Sequence, residues 1–279
     1  MDFIKLSKFS FALSFLFIAA SLVAIGFQGF NLGIDFTGGT SLIVNFAERP
    51  NLDQLRTVLS AERVQITTLE NDFVIKTAAF SEQHKDELLQ ILDDNFGETR
   101  LLDYEAIGPS AGSELQNQAY LLTVLVLAGI LIYITFRFEL WTGLAAVAGL
   151  LHDVIITLGF VSWLGLDFNI SMIAAILTII GYSINATIII FDRVRENLGS
   201  KEYAGADLAL IANQALLSVL GRCINTSVTT ILAVLAVYLF GGLSIKAFAL
   251  TMLIGFTVGA YSSIFIAAPL YVFLRRRRF

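Results

Sequence analysis

The chain has 279 residues, of which 56% are hydrophobic and 15% charged, with a mean hydropathy of +0.76 and a formal net charge of -5. A soluble domain needs about 25% charged residues to cover its surface, so these figures exclude an ordinary soluble protein and indicate a chain that crosses a membrane several times. Cys223 is the single cysteine, which excludes an intrachain disulfide or a thiolate metal cluster. His84 and His152 are the two histidines, too few for a typical zinc site, so a soluble metalloenzyme is excluded as well.

The first element is an apolar run over 11–27 that follows Lys5 and Lys8. Basic residues before an apolar stretch also describe a cleaved signal peptide. Here the small-x-small cleavage site is poorly formed and the run is long enough to span, so a first membrane helix is predicted.

Residues 30–118 change character, with fifteen acidic residues against six basic ones. SLIVNF (41–46) alternates as a strand, and NLDQLRTVLSAE (51–62) puts Leu52, Leu55 and Leu59 on one helical face. VQITTLE (64–70) and DFVIKTA (72–78) predict two strands around a turn at Glu70, Asn71 and Asp72. SEQHKDELLQILDDNF (81–96) reads as a helix capped by Ser81, and TRLLDYEAI (99–107) as a last strand. The order β-α-β-β-α-β is that of a ferredoxin-like domain. No catalytic cluster stands out in it, so a protein-binding or mechanical module is expected.

Five more spans are predicted near 119–136, 141–163, 168–191, 214–240 and 245–274. Lys5, Lys8, Arg137, Arg193, Arg195, Lys201 and the run Arg275 to Arg278 then all fall on one side. By the excess of Lys and Arg in cytoplasmic loops, both termini are predicted cytoplasmic and residues 30–118 exported. The predicted fold is therefore a polytopic α-helical membrane protein with six transmembrane helices and one α+β ferredoxin-like domain between the first two. Its regions are 1–29 (N-terminus and first span), 30–118 (exported domain) and 119–279 (the remaining five spans).

Polar side chains at membrane depth are expensive to keep and mark function by default. His152 and Asp153 fall near the middle of the third span. In the fifth, Arg222 shares a helix face with Asn225, Thr226 and Thr229. In the fourth, GYSINATIIIFDRVREN (181–197) carries Ser183, Asn185 and Thr187, and Thr178, Tyr182 and Asn185 follow one face toward Asp192. Ala186 sits between two of these polar residues, at a depth compatible with Arg222. The plainer readings are interhelical hydrogen bonding for the Asn and Thr residues, a snorkelling Arg222, a self-satisfied His152–Asp153 pair, and an interfacial salt-bridged cap for Asp192, Arg193, Arg195 and Glu196. The terminal arginines read as a positive-inside anchor with a secondary attraction to anionic lipids.

With these residues in view, the sequence resembles the SecF branch of the SecD/SecF family, within the resistance-nodulation-division superfamily. The resemblance rests on GIDFTGGT (33–40, with Gly38 and Gly39), IGPSAGSEL (107–115, with Gly108 and Gly112), LHDVIITLG (151–159), the 181–197 stretch and GRCINTSVTT (221–230). It implies a six-span half-transporter of the bacterial inner membrane whose exported domain is periplasmic. Its implied partners are SecD, the SecYEG translocon with YajC and YidC, and the translocating preprotein. The implied role is to use the proton-motive force in preprotein export. Protons are then the coupling ion, with no other cofactor, no metal and no catalytic residue, and neither an enzyme nor a nucleic-acid binder is expected.

One departure stands out. The family reads S-I-N-D-T where this chain reads Ser183-Ile184-Asn185-Ala186-Thr187, so the implied proton carrier is missing and Arg222 lacks its implied partner. An engineered substitution and a natural variant with lost or relocated coupling both account for it. Asp153 with His152 is then the remaining intramembrane acid. The competing classes are a non-transporting scaffold, half of a small-molecule proton antiporter, and an intramembrane enzyme, the last without a nucleophile arrangement.

Overall fold

A computed structural model describes residues 3–62, 64–69, 71–78 and 81–276. Glu70 of the expected turn, and Arg277 and Arg278 of the C-terminal run, lie outside the described residues. In chain order the elements are α1 (Phe3–Gln28), β1 (Asn31–Leu32), α2 (Ile34–Thr37), β2 (Gly39–Phe46), α3 (Leu52–Val58), β3 (Gln65–Leu69), β4 (Asp72–Thr77), α4 (Glu82–Phe96) and β5 (Thr99–Ile107). There follow α5 (Pro109–Arg137), α6 (Leu140–Trp163), β6 (Asp167–Phe168), α7 (Ile170–Gly199), α8 (Leu208–Phe240), α9 (Leu243–Ser262) and α10 (Ala268–Arg276), with a π turn at Ser263–Ala267 joining the last two. Among the described residues, six stretches are long and apolar enough to cross a membrane: Leu6–Gln28, Pro109–Arg137, Leu140–Trp163, Ile170–Gly199, Leu208–Phe240 and Leu243–Arg275. They fall where the hydropathy placed them, extended by up to about a dozen residues at their polar ends.

The chain divides into two compact units, Leu32–Leu122 and the membrane body formed by the rest. In the first, four antiparallel strands run in the order β3-β4-β2-β5. β4 therefore lies between β2 and β3, the split arrangement of a ferredoxin-like domain. The β3–β4 ladder runs from Gln65 opposite Lys76 to Leu69 opposite Asp72. Asn51 and Gln54 close a capping box at the start of α3, and the Ser81 hydroxyl accepts from the His84 amide at the start of α4. Leu55 and Leu59 from the first helical segment and Leu88 and Leu92 from the second meet Leu42, Val44, Phe73 and Ile75 of the sheet in one core. Each such side chain contributes about 1.5–3 kcal/mol on burial.

In the membrane body, α6 and α7 supply much of the buried core. α1 packs on α6, and α9 packs on α6, α7 and α8. The approach of α9 to α7 depends on Gly255, where a Cβ would sit 2.2 Å from the Ile179 side chain. Asn213 accepts from the Phe3 amide at 2.9 Å, so α8 satisfies a donor that the first turn of α1 leaves open.

Candidate functional site

Polar groups at membrane depth separate into an inward cluster and an outward face. The cluster centres on α6, where His152 and Asp153 are 4% and 1% exposed. His152 Nδ1 lies 2.9 Å from Asp153 Oδ1. Asp153 Oδ2 accepts from Ser183 of α7 at 2.5 Å and from Ser262 of α9 at 2.8 Å. One carboxylate thus ties three helices together. Gly259 keeps the spot open, since a Cβ there would crowd Ser183 at 3.2 Å. On the other side of the ring, His152 Nε2 is 3.0 Å from Ser14 Oγ of α1, and Tyr261 stacks beside the imidazole. Ser262 also immediately precedes the π turn, an irregularity that recurs at functional sites.

The outward face carries the other polar residues. Arg222, Asn225, Thr226 and Thr229 are all exposed on α8, whereas Cys223 and Ser227 of the same helix point inward. Thr229 bonds back to its own helix, at the Asn225 and Thr226 carbonyls. The Arg222 guanidinium makes no hydrogen bond or ion pair among the described residues. On α7, Thr178 and Asn185 are exposed, while Ala186 and Thr187 are buried. The depth relation follows from two bridges between these antiparallel helices: Tyr182 donates to Ser227 at 2.7 Å, and Arg193 donates to Ser218 at 3.0 Å. One turn beyond Tyr182, Ala186 therefore lies level with Cys223, the neighbour of Arg222. The two share a level, with Ala186 turned in and Arg222 turned out.

At the end of α7, Asp192 pairs with Arg137 at 2.5 Å and with Arg195 at 3.3 Å, and Arg193 pairs with Glu196 at 2.7 Å. In the sheet domain, Gly38 and Gly39 have positive φ angles of 68° and 118°. A Cβ on Gly39 would lie 2.2 Å from the Thr77 carbonyl oxygen, and one on Gly112 would lie 3.2 Å from the Gly38 amide nitrogen. Gly112 in turn donates to the Gly108 carbonyl at 2.9 Å. These four glycines let the start of β2 and the start of α5 pass each other backbone to backbone. Nearby, burial pushes the Glu105 carboxyl above its ordinary value, with Asp35 and Asp103 adding repulsion. Among the described residues no group of three or more His, Cys, Asp or Glu is placed to hold a metal ion.

Reasoning from sequence found His152, Asp153 and Ser183 but missed Ser14, Tyr261 and Ser262. Their signal was available: Ser10 and Ser14 interrupt an apolar first span, and Ser262–Ser263 interrupt the last. Lone serines in a membrane helix are too common to single out without knowing which helices touch.

A six-span helical body with buried ionisable groups, joined to an α+β domain, is the architecture of a polytopic transport subunit. Comparison with known proteins makes the class specific. Residues 87–277 match the family described as protein export membrane protein SecD/SecF, C-terminal, and residues 23–47 match the SecD/SecF GG motif. The chain is 38% identical to protein translocase subunit SecF of Desulfurispirillum indicum, covering 99% of this chain and 92% of that protein. It is 39% identical to the SecF subunit of Rickettsia typhi, over 100% and 93%. The crystal structure of SecDF, a translocon-associated membrane protein from Thermus thermophilus, superposes with a TM-score of 0.90 at 34% identity. That match covers 99% of this chain and 39% of SecDF. The chain belongs to the SecD/SecF family of protein-export membrane proteins, on the SecF side.

Proposed function

We propose that the chain works as the SecF half of a two-half export motor, paired with a SecD partner beside SecYEG in the bacterial inner membrane. In this reading both termini are cytoplasmic and the Leu32–Leu122 unit is periplasmic, where it engages the emerging preprotein. The proton-motive force drives the cycle, with protons as the coupling ion and no other cofactor. YajC, YidC and anionic lipids are further contacts of the assembly. The SecF relatives are named as translocase subunits, and the reading assigns no enzymatic activity to this chain.

One observation carries the reading. Arg222, Asn225, Thr226 and Thr229 form an exposed polar face on a membrane helix. Such a face must meet protein or water in a bilayer, because lipid satisfies none of its hydrogen bonds. A partner subunit supplies that contact, and a carboxylate at its surface is the natural complement to Arg222. Ala186 removes the carboxylate that the family places at this level, so the relay on this side is impaired. Residual coupling rests on Asp153 and the partner.

The test reconstitutes the chain and its Ala186→Asp variant with SecD and SecYEG in vesicles and follows preprotein export with and without an imposed proton gradient. The expected result is gradient-dependent export that is stronger in the Ala186→Asp complex. Equal responses would place coupling away from position 186. The alternative favoured by Ala186 itself is a non-transporting scaffold, which predicts complexes that assemble and respond to the gradient in neither form.

A further inference from the structure

The sheet of the Leu32–Leu122 unit has two outer strands, β3 and β5, because its order is β3-β4-β2-β5. An outer strand presents a row of unpaired N–H and C=O groups, and proteins blunt such rows with charged side chains, bulges and local hydrogen bonds. β5 carries all three. Arg100, Asp103 and Glu105 place charge along it. Its pairing passes from Ile43 opposite Asp103 to Val44 opposite Leu101, which leaves Leu102 as a bulge. Asp103 accepts from the Tyr104 amide at 2.9 Å, and Asp93 accepts from the Thr99 amide at 2.8 Å.

β3 carries none of these devices. Its sequence, Gln65 to Leu69, holds neither a charged residue nor a proline. It pairs with β4 without a break in register, and Ile66 packs against the core of the unit and anchors the strand. Gln65 and Thr68 are exposed. Among the described residues, no side chain accepts from its amides and no backbone beyond β4 pairs with it. Alternate residues direct both main-chain groups away from β4, so an added strand of matching length would gain about four to six hydrogen bonds.

What such an edge can read decides its occupant. Main-chain pairing recognises an extended backbone and is largely indifferent to sequence. A folded partner has most of its backbone groups paired already, whereas an emerging preprotein has not yet folded and its groups are free. Charge points the same way. The edge is neutral within a segment, 30–118, of fifteen acidic and six basic residues, so it receives stretches of either sign where its surroundings repel acidic ones. We propose that the outer edge of β3 docks an extended segment of the translocating preprotein, which adds there as a fifth strand. The site rests on the export reading above and gives its preprotein contact a location. Because each such bond only replaces one to water, a pairing this short holds weakly and releases readily.

The experiment is site-specific photocrosslinking in the full chain, assembled with SecD and SecYEG and holding a preprotein arrested midway through export. Gln65 and Thr68 on β3, and Arg100 and Leu102 on β5 as controls, are each replaced in turn by a photoreactive amino acid. Both β3 positions should crosslink to the preprotein at least about fivefold more than the β5 positions, and alike for two preproteins of unrelated sequence. A second preprotein, with proline at every other position of its exported part, lacks half of the N–H donors. It should cut the β3 yield at least about fivefold, and it leaves the fold of this chain untouched. Equal yields on β3 and β5, crosslinks from β3 to SecD instead, or a yield indifferent to proline overturns the edge and leaves the export reading standing. No preprotein crosslink at any of the four positions removes the contact with the preprotein and the edge together. β3 crosslinks as stated, in a complex whose export ignores the gradient, sustain the docking site and remove the proton-driven part of the reading.

Discussion

Asp153 and Arg222 are both ionisable side chains within membrane-spanning helices, yet they are treated in opposite ways. Asp153 is enclosed by Ser183, Ser262 and His152, while Arg222 faces out with no hydrogen-bond or ion-pair partner among the described residues. A closed polar site is satisfied within one chain and can hold its helices together. An open one is satisfied by something outside the chain, so its contribution belongs to an assembly rather than to folding.

The largest expected effect tests the closed side. Asp153→Ala leaves a histidine and two buried serines without their acceptor, and should cost the full chain about 3–5 kcal/mol in detergent unfolding. A loss below about 1 kcal/mol would mean the cluster does not tie α6, α7 and α9 together. Next comes the boundary between the two sites, where Tyr182 donates to Ser227. Tyr182→Phe should cost about 1 kcal/mol, and combining it with Ser227→Ala should add little, which a double-mutant cycle reads directly.

On the open side, Arg222→Ala should change the stability of the isolated chain by no more than about 0.5 kcal/mol. The same variant should abolish the gradient-dependent part of export in the reconstituted complex. A strongly destabilised isolated chain would show that Arg222 is held internally.

Outside the membrane, Glu105 gives a contrast with a definite sign. Its folded-state value is raised above the ordinary 4.5, first by burial and then by Asp35 and Asp103. The stabilising contribution of the neutral form is therefore fully present below about pH 4.5 and is lost as the pH climbs through the raised folded midpoint. Hydrogen exchange along β5 should show less protection as pH rises through that window, after correction for intrinsic rates. Glu105→Gln should flatten the trend.

Much of this was legible in the sequence because it depends on periodicity. Leu55 and Leu59 fall on one face, Ser81 stands where an N-cap belongs, and Tyr182 and Asn185 mark a polar stripe in an apolar helix. The strand order was implied by the β-α-β-β-α-β pattern and realised as the split arrangement. Contacts between distant helices were not legible. Nothing in 10–14 says that Ser14 meets His152, a separation of 138 residues, and nothing in the final span says that Ser262 reaches Asp153. Which way a polar face turns was equally hidden: the spacing that groups Arg222 with Asn225 does not say that both point away from Cys223 and Ser227. Helical phase fixes neighbours on one helix, and tertiary packing decides what the face meets.

The most direct test of the closed and open sites is thiol labelling in a Cys223→Ala background, which removes the single native cysteine. Asn225→Cys reports the outward face and Ser227→Cys the inward one, each probed with a small maleimide in nanodiscs with and without the SecD partner. The account predicts that position 225 labels readily in the chain alone and slows at least about tenfold on assembly, while position 227 stays protected throughout. Equal labelling of position 225 in the free chain and in a fully assembled complex would contradict it.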